Sequence, residues 1–328
     1  MRRIIVKVML ASLVTVAVAV AAGVTVTTQQ AKAEFPGHNG RIAFMKQDSS
    51  EHWQTWVANK DLSNQVKLTS ESADSGWAVW KPGGAKLAFD SGRAAKPTDS
   101  RAINDIFKMN PDGTGVVKLT HSGSFSADPG WSPDGKRIAF NSDRRHGSFR
   151  QEIYVMDSDG TDVHRVTTLP AEAAYDGAAR FSPDGKRLVF TRYITDPGRS
   201  ALFTIRIDGS GLRQLTPWGN GAGDADWSPS GKKLVFEAYP NKGCFGEIYT
   251  VEADGQHLTN IADNRCHAGS SDPVWSPNGK KILFMQAHAF SGGFGFGLAR
   301  MNPDGSARHF ILPNPNEEMH QPDWESVP

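Results

Sequence analysis

Cysteine is nearly absent from this chain. Two residues, Cys244 and Cys266, are the whole supply in 328 positions. That is too few for a disulfide-framed scaffold or a cysteine-based zinc module to organise the fold. Excess charge is lacking as well, with 36 Lys and Arg against 35 Asp and Glu. A nucleic-acid binder would show a concentrated basic face, and none is legible. Beyond residue 33 there is no apolar run long enough to span a bilayer, and no convincing long helical period. The catalytic signatures G-x-S-x-G, H-E-x-x-H and S-x-D-x-G-x-T-W are absent, and no lysine-bearing phosphate loop occurs.

The N-terminus is the exception to this even character. Arg2, Arg3 and Lys7 precede an uncharged run from Val8 to Val26, and Ala31-Lys32-Ala33 supplies a small-x-small pattern ahead of Glu34. Residues 1–33 are expected to be a cleaved signal peptide, the alternative being an uncleaved anchor. No cysteine stands near the site to carry a lipid. Cleavage would leave 32 basic against 35 acidic residues, a net charge of about −3. An exported protein is expected, periplasmic or otherwise in the cell envelope, or secreted, with no transmembrane segment after cleavage.

What the chain has in quantity is repetition. WSPDGKRIAF spans Trp131–Phe140, FSPDGKRLVF Phe181–Phe190, WSPSGKKLVF Trp227–Phe236 and WSPNGKKILF Trp275–Phe284. A looser copy, WKPGGAKLAF, spans Trp80–Phe89. A sixth copy is split, with NGRIAF at Asn39–Phe44 and PDWESVP at Pro322–Pro328. A period of about 50 residues signals a solenoid, propeller or array. The split copy selects a ring whose two ends meet in one repeat.

Each repeat reads as four strands. In the third, Asp128–Trp131 is a short strand and Ser132-Pro133-Asp134-Gly135 a turn, with Pro presetting φ and Gly accepting positive φ. Lys136–Asn141 is apolar on both faces, as a sheet covered by neighbours requires. Glu152–Met156, a turn at Asp157–Gly160, and His164–Thr167 complete the unit. The expected fold is all-β: a six-bladed β-propeller of four-stranded antiparallel blades over residues 34–328. The C-terminal strand pairs with the N-terminal strands to close it. A monomer is expected.

The phrases resemble the TolB-like, WD-repeat-like β-propeller repeat, roughly D-P-x-W-S-P-D-G-K-x-I-x-F. Asp128–Phe140 matches throughout, and Asp272-Pro273-Val274-Trp275 carries the full opening. The resemblance covers about residues 36–328 and is more specific for fold than for function. It implies a scaffold found in an envelope protein that binds a peptidoglycan-associated lipoprotein and colicins, in the gating domain of serine peptidases, and in stand-alone secreted proteins. The sequence shows neither the extra N-terminal domain of the first nor the hydrolase domain of the second. The expectation is the stand-alone exported class, a non-enzymatic binding protein with a protein or envelope-polymer partner. A carbohydrate-active enzyme, a polysaccharide lyase or glycosidase, is the alternative.

Strand alternation puts the long connections, after the second and fourth strands, on one face, where binding usually resides. Asp128, Asp224 and Asp272, each three residues before a motif aromatic, would stand at the channel mouth, as ligand contacts or as caps on backbone N–H groups. His121, His267 and His320, near the ends of fourth-to-first-strand connections, are the residues a metal-using lyase would need. Their spacing matches no metal motif, so no metal or cofactor is expected. Arg93, Arg101, Arg144, Arg145, Arg150, Arg192 and Arg199 crowd three consecutive repeats, as an anion-binding sector or a dispersed rim. Cys244 and Cys266 emerge on this face from adjacent connections; a bridge is expected, free thiols being the alternative. Gly292–Gly297 reads as a flexible apolar loop. The DSDG and NPDG segments lack the remaining ligands of a calcium loop and read as β-turns.

Overall fold

A computed structural model describes residues 37–70, 72–95, 103–147, 150–195, 199–240, 246–262, 269–290, 293–311 and 318–328. The N-terminal run with its cleavage pattern, Arg101, Cys244, Cys266 and His267 lie outside the described residues. Among the described residues no helix is long and apolar enough to cross a membrane.

Six four-stranded antiparallel sheets form the ring. Five are built in sequence order, from an innermost strand at the channel to a two-residue outer strand. Blade 3, for example, runs Ser126–Trp131, Arg137–Ser142, Glu152–Asp157 and His164–Arg165. Blade 1 is composite: the last strand, His320–Val327, pairs with the first, His38–Gln47, matching His38 to Val327 and Ile42 to Trp324. Glu325 secures the joint, accepting from Arg41 Nε at 3.0 Å, Arg41 Nη2 at 2.9 Å and the Arg41 backbone N–H at 2.9 Å.

The repeated phrase explains the packing. Its closing phenylalanine, Phe44, Phe89, Phe140, Phe190, Phe236 or Phe284, is fully buried in every blade. Each stabilises the ring by roughly 1.5–3 kcal/mol. The motif aromatics Trp80, Trp131, Phe181, Trp227, Trp275 and Trp324 are buried too. Two indoles cross to the preceding blade: Trp131 Nε1 donates to Val79 O and Trp227 Nε1 to Arg180 O, both at 3.2 Å. Gly135 closes its turn at φ 64°. Gly160 lies so close to blade 2 that a Cβ there would sit 2.8 Å from the Leu119 carbonyl oxygen.

One expectation is corrected. Gly292 lies outside the described residues, and Gly293–Gly297 is not a flexible loop: blade 6 extends into a long hairpin of Ile282–Phe290 and Gly293–Met301, pairing Gln286 with Gly297 and Phe290 with Gly293. The pairing supplies ladder hydrogen bonds that glycines alone do not foretell.

Candidate functional site

The innermost strand of every blade carries a bulge at one shared position, three residues before the motif aromatic. Trp77, Asp128, Ala178, Asp224, Asp272 and Gln321 all have positive φ, between 44° and 58°. Such a conformation costs an ordinary residue on the order of 1 kcal/mol. Ladder register shifts accompany it in all six blades. These residues form one layer of the channel, near the strand ends that receive the long connections. Val79, Gly130, Arg180, Asp226, Val274 and Asp323, two positions further on, form the next.

The channel is crowded with carboxylates. Asp226 and Asp323 are structural: Asp226 Oδ2 accepts from the Trp275 N–H and Asp323 Oδ2 from the Trp80 N–H, each at 2.7 Å and each in the following blade. Asp90 likewise accepts from the Asp128 N–H at 3.0 Å. Burial pushes Asp226 up to about 6 and Asp323 to about 7. The guanidinium of Arg180 stands among them, 3.5 Å from Asp128 Oδ1. Burial opposes its charge, but Asp128, Asp323, Asp226 and Asp224 outweigh that and raise its pKa.

On one side of the channel the acids face each other instead. Oxygens of Asp224, Glu237 and Asp272 all lie within 4.8 Å of one another. Glu237 comes from the second strand of blade 5 and accepts from the Asp272 N–H at 3.2 Å. Burial, then the Asp272 charge, pushes Glu237 up to about 8, against a hydrogen bond from the Tyr239 hydroxyl. Asp224 is driven well above the carboxylate range by burial and by Glu237, Asp272 and Asp128. Burial raises Asp272, with His320, the Gln321 N–H and Arg180 pulling it back. Close like charges in a dry site cannot all ionise without compensation. The Tyr193 hydroxyl feels the same field: burial and the charges of Asp224 and Glu237 raise it well above its usual value.

Asp224, Asp272, Gln321 and Arg180 line one cavity of about 40 Å³. That volume admits a water or two, or a single ion with a water, and no sugar ring.

The structure thus brings Asp224 and Asp272 together and places Asp128 beside Arg180. Burial raises Asp128 to about 6, with Arg180 and, more weakly, the Ala178 N–H of the next blade pulling it back; the Gln321 N–H, also of a neighbouring blade, does the same for Asp272. His320 packs edge-on to Trp53, with centroids 4.7 Å apart, and beside Phe296 at 5.6 Å. His121 is exposed. Three arginines of the sector turn inward, while Arg145 and Arg199 are exposed. Arg144 lies 4.9 Å over the Phe140 ring and 4.7 Å over Tyr154, and donates from Nε to Ser142 Oγ. Arg93 covers Phe89 and Phe107, and Arg192 makes a buried two-pronged pair with Asp176, at 2.5 and 2.7 Å. Glu237, Arg180 and Gln321 escaped the sequence reading. The signal for Glu237 was an acid inside LVFEA, where a doubly covered strand calls for apolar residues.

The family model described as TolB beta propeller domain matches residues 170–325. A protein TolB homolog of Chlorobium luteolum is 28% identical over 127 residues, 31% of this chain and 27% of that protein. An uncharacterized peptidase of Bacillus subtilis is 30% identical over 112 residues, 34% of this chain and 16% of the peptidase. The aligned segments therefore span less than a third of either relative. Among solved structures, TolB from Acinetobacter baumannii superposes with a TM-score of 0.68 at 23% identity, covering 87% of this chain and 66% of that one. An oligogalacturonate lyase in complex with manganese gives 0.53 at 15% identity, covering 76% and 72%.

Proposed function

We propose that this chain, which belongs to the TolB-like β-propeller family, is an exported, non-enzymatic binding protein that engages a protein partner through its loop-rich face. The observation that carries the reading is the inequality of the two faces. One consists of tight turns of nearly one sequence. The other gathers the varied connections, the exposed side chains of His121, Arg145 and Tyr239, and the acidic end of the channel. Variable groups on a rigid ring are what a recognition surface requires.

The lyase alternative has a fold neighbour in its favour, but Asp224 and Asp272, two of the acids that could act together, line a cavity too small for a sugar ring. Of its three histidines, His320 alone is placed beside the acidic cluster among the described residues.

Affinity capture with residues 34–328 from the producing cell's envelope and culture fluid tests the proposal. A protein retained by the parent, and lost when His121, Arg145 and Tyr239 are changed together to Ala, supports it. Changing Asp134 and Asp184 on the turn face should leave capture intact. Equal loss from both variants, or retention by both, overturns the placement. Turnover of an acidic glycan, abolished by His320→Ala, would replace the reading with the enzymatic one. Export is tested by sequencing the mature N-terminus, expected at Glu34.

A further inference from the structure

We infer that Asp224, Glu237 and Asp272, together with the side-chain oxygen of Gln321, form a binding site for one hard divalent cation of the calcium class. The inference does not depend on the partner reading, since it concerns the channel interior.

Three observations converge. The three carboxylates present oxygens within 4.8 Å of one another, the spacing that ligands around one ion adopt. They come from two neighbouring blades and two kinds of strand, so the ring itself holds them there. Gln321, nine-tenths buried and lining the same cavity as Asp224 and Asp272, has an Oε1 with no hydrogen-bond partner. A buried carbonyl oxygen left without a donor costs about 1–3 kcal/mol unless something positive meets it. Close by, Asp128 is buried beside Arg180, 3.5 Å away; its charge acts on Asp224, and Asp272 acts on it.

The local charge balance points the same way. Asp224, Glu237, Asp272 and Asp128 share one guanidinium, Arg180, which lies against Asp128. His320 acts on Asp272 as well. A dication would neutralise two of the remaining charges and displace protons from the cluster as it bound.

The donor set decides the class of ion. All four groups offer oxygen, which suits calcium, magnesium and manganese and disfavours zinc or copper. Three carboxylates able to bind through one or two oxygens, one amide oxygen and a water in the remaining space reach the six to eight ligands of calcium. Magnesium demands a stricter octahedron and keeps more waters than a cavity of about 40 Å³ admits.

Terbium(III), a luminescent stand-in for calcium, tests this in the intact mature protein, because Tyr193 and Tyr239 lie beside the acids and can sensitise it. The expected result is protein-sensitised emission that saturates at one equivalent and is displaced by calcium chloride. Glu237→Gln should weaken binding at least tenfold, and Asp159→Asn, in an exposed turn, should leave it unchanged. Calcium should also raise the unfolding temperature of the parent over that in chelator, which gives a readout even if a cluster variant folds poorly. No sensitised emission and no calcium-dependent shift in the parent would overturn the site. So would emission lost in Asp159→Asn but kept in Glu237→Gln, which would assign binding to the turns.

Discussion

Two buried acidic groups stand on adjacent parts of this ring and are handled in opposite ways. In blade 4, Asp176 is completely buried and held by both prongs of Arg192. Between blades 5 and 6, oxygens of Asp224, Glu237 and Asp272 are gathered within 4.8 Å of one another, and no two-pronged arginine like that on Asp176 holds them among the described residues. The first is a closed account, in which every charge has its partner and nothing is left for a ligand. The second crowds its acids against one another, two of them lining a small cavity that a ligand can enter. Burial of charge by itself does not mark a functional site; burial without compensation does.

The largest blow to this contrast is removal of Pro322–Pro328, which withdraws Asp323 and the strand that carries Gln321. The shortened protein is expected to lose its cooperative unfolding transition, as followed by circular dichroism; a melting temperature equal to the parent's would refute closure by this strand. Next is Arg192→Met, which strands Asp176. It should cost about 3–5 kcal/mol in denaturant unfolding at pH 7, whereas Glu237→Gln, replacing a carboxyl that burial holds largely protonated at that pH, should cost nothing or stabilise. Equal losses would erase the distinction.

The pH profile sharpens the contrast. Glu237 is raised from 4.5 to about 8, so between those values the folded protein keeps a proton that the unfolded chain releases. Stability therefore falls as pH rises through that window. Asp226 and Asp323, raised to about 6 and 7, add to the fall with the same sign. In chelator, the parent should lose on the order of a few kcal/mol between pH 5 and 8, and Glu237→Gln should flatten part of that slope. The smallest effect belongs to Tyr239→Phe. Removing the hydroxyl that supports the Glu237 carboxylate should cost about 1 kcal/mol or less and move the steepest part of the profile upward.

The fold was legible because it is written six times. Phe140 and its five equivalents had to be buried, and the split between Asn39–Phe44 and Pro322–Pro328 required a joint. The site was half legible. Asp128, Asp224 and Asp272 share a register position in the sequence, but that this position is a bulge at positive φ is a property of the closed ring. Glu237 belongs to a different strand, and its approach to Asp272 is an inter-blade contact that periodicity does not encode. Arg144 and Arg192 misled for a related reason. Sequence places an arginine in a connection but does not say whether its guanidinium turns to water or folds back over the rings of its own blade, as Arg144 does over Phe140 and Tyr154.

The joint in blade 1 also sets a schedule. Five blades assemble from segments that follow one another closely, but Arg41 must find Glu325, 284 positions away. Contacts of that separation form slowly, since the chain between them must be ordered first. Until the last eight residues arrive, His38–Gln47 presents an unpaired strand edge to whatever surrounds it. A chain threaded through a membrane pore from its N-terminus would therefore carry an open, sticky ring for the whole of its passage and seal it only at the final step. Moving the chain break to another blade, so that the joint lies within continuous sequence, should shorten that interval and speed refolding.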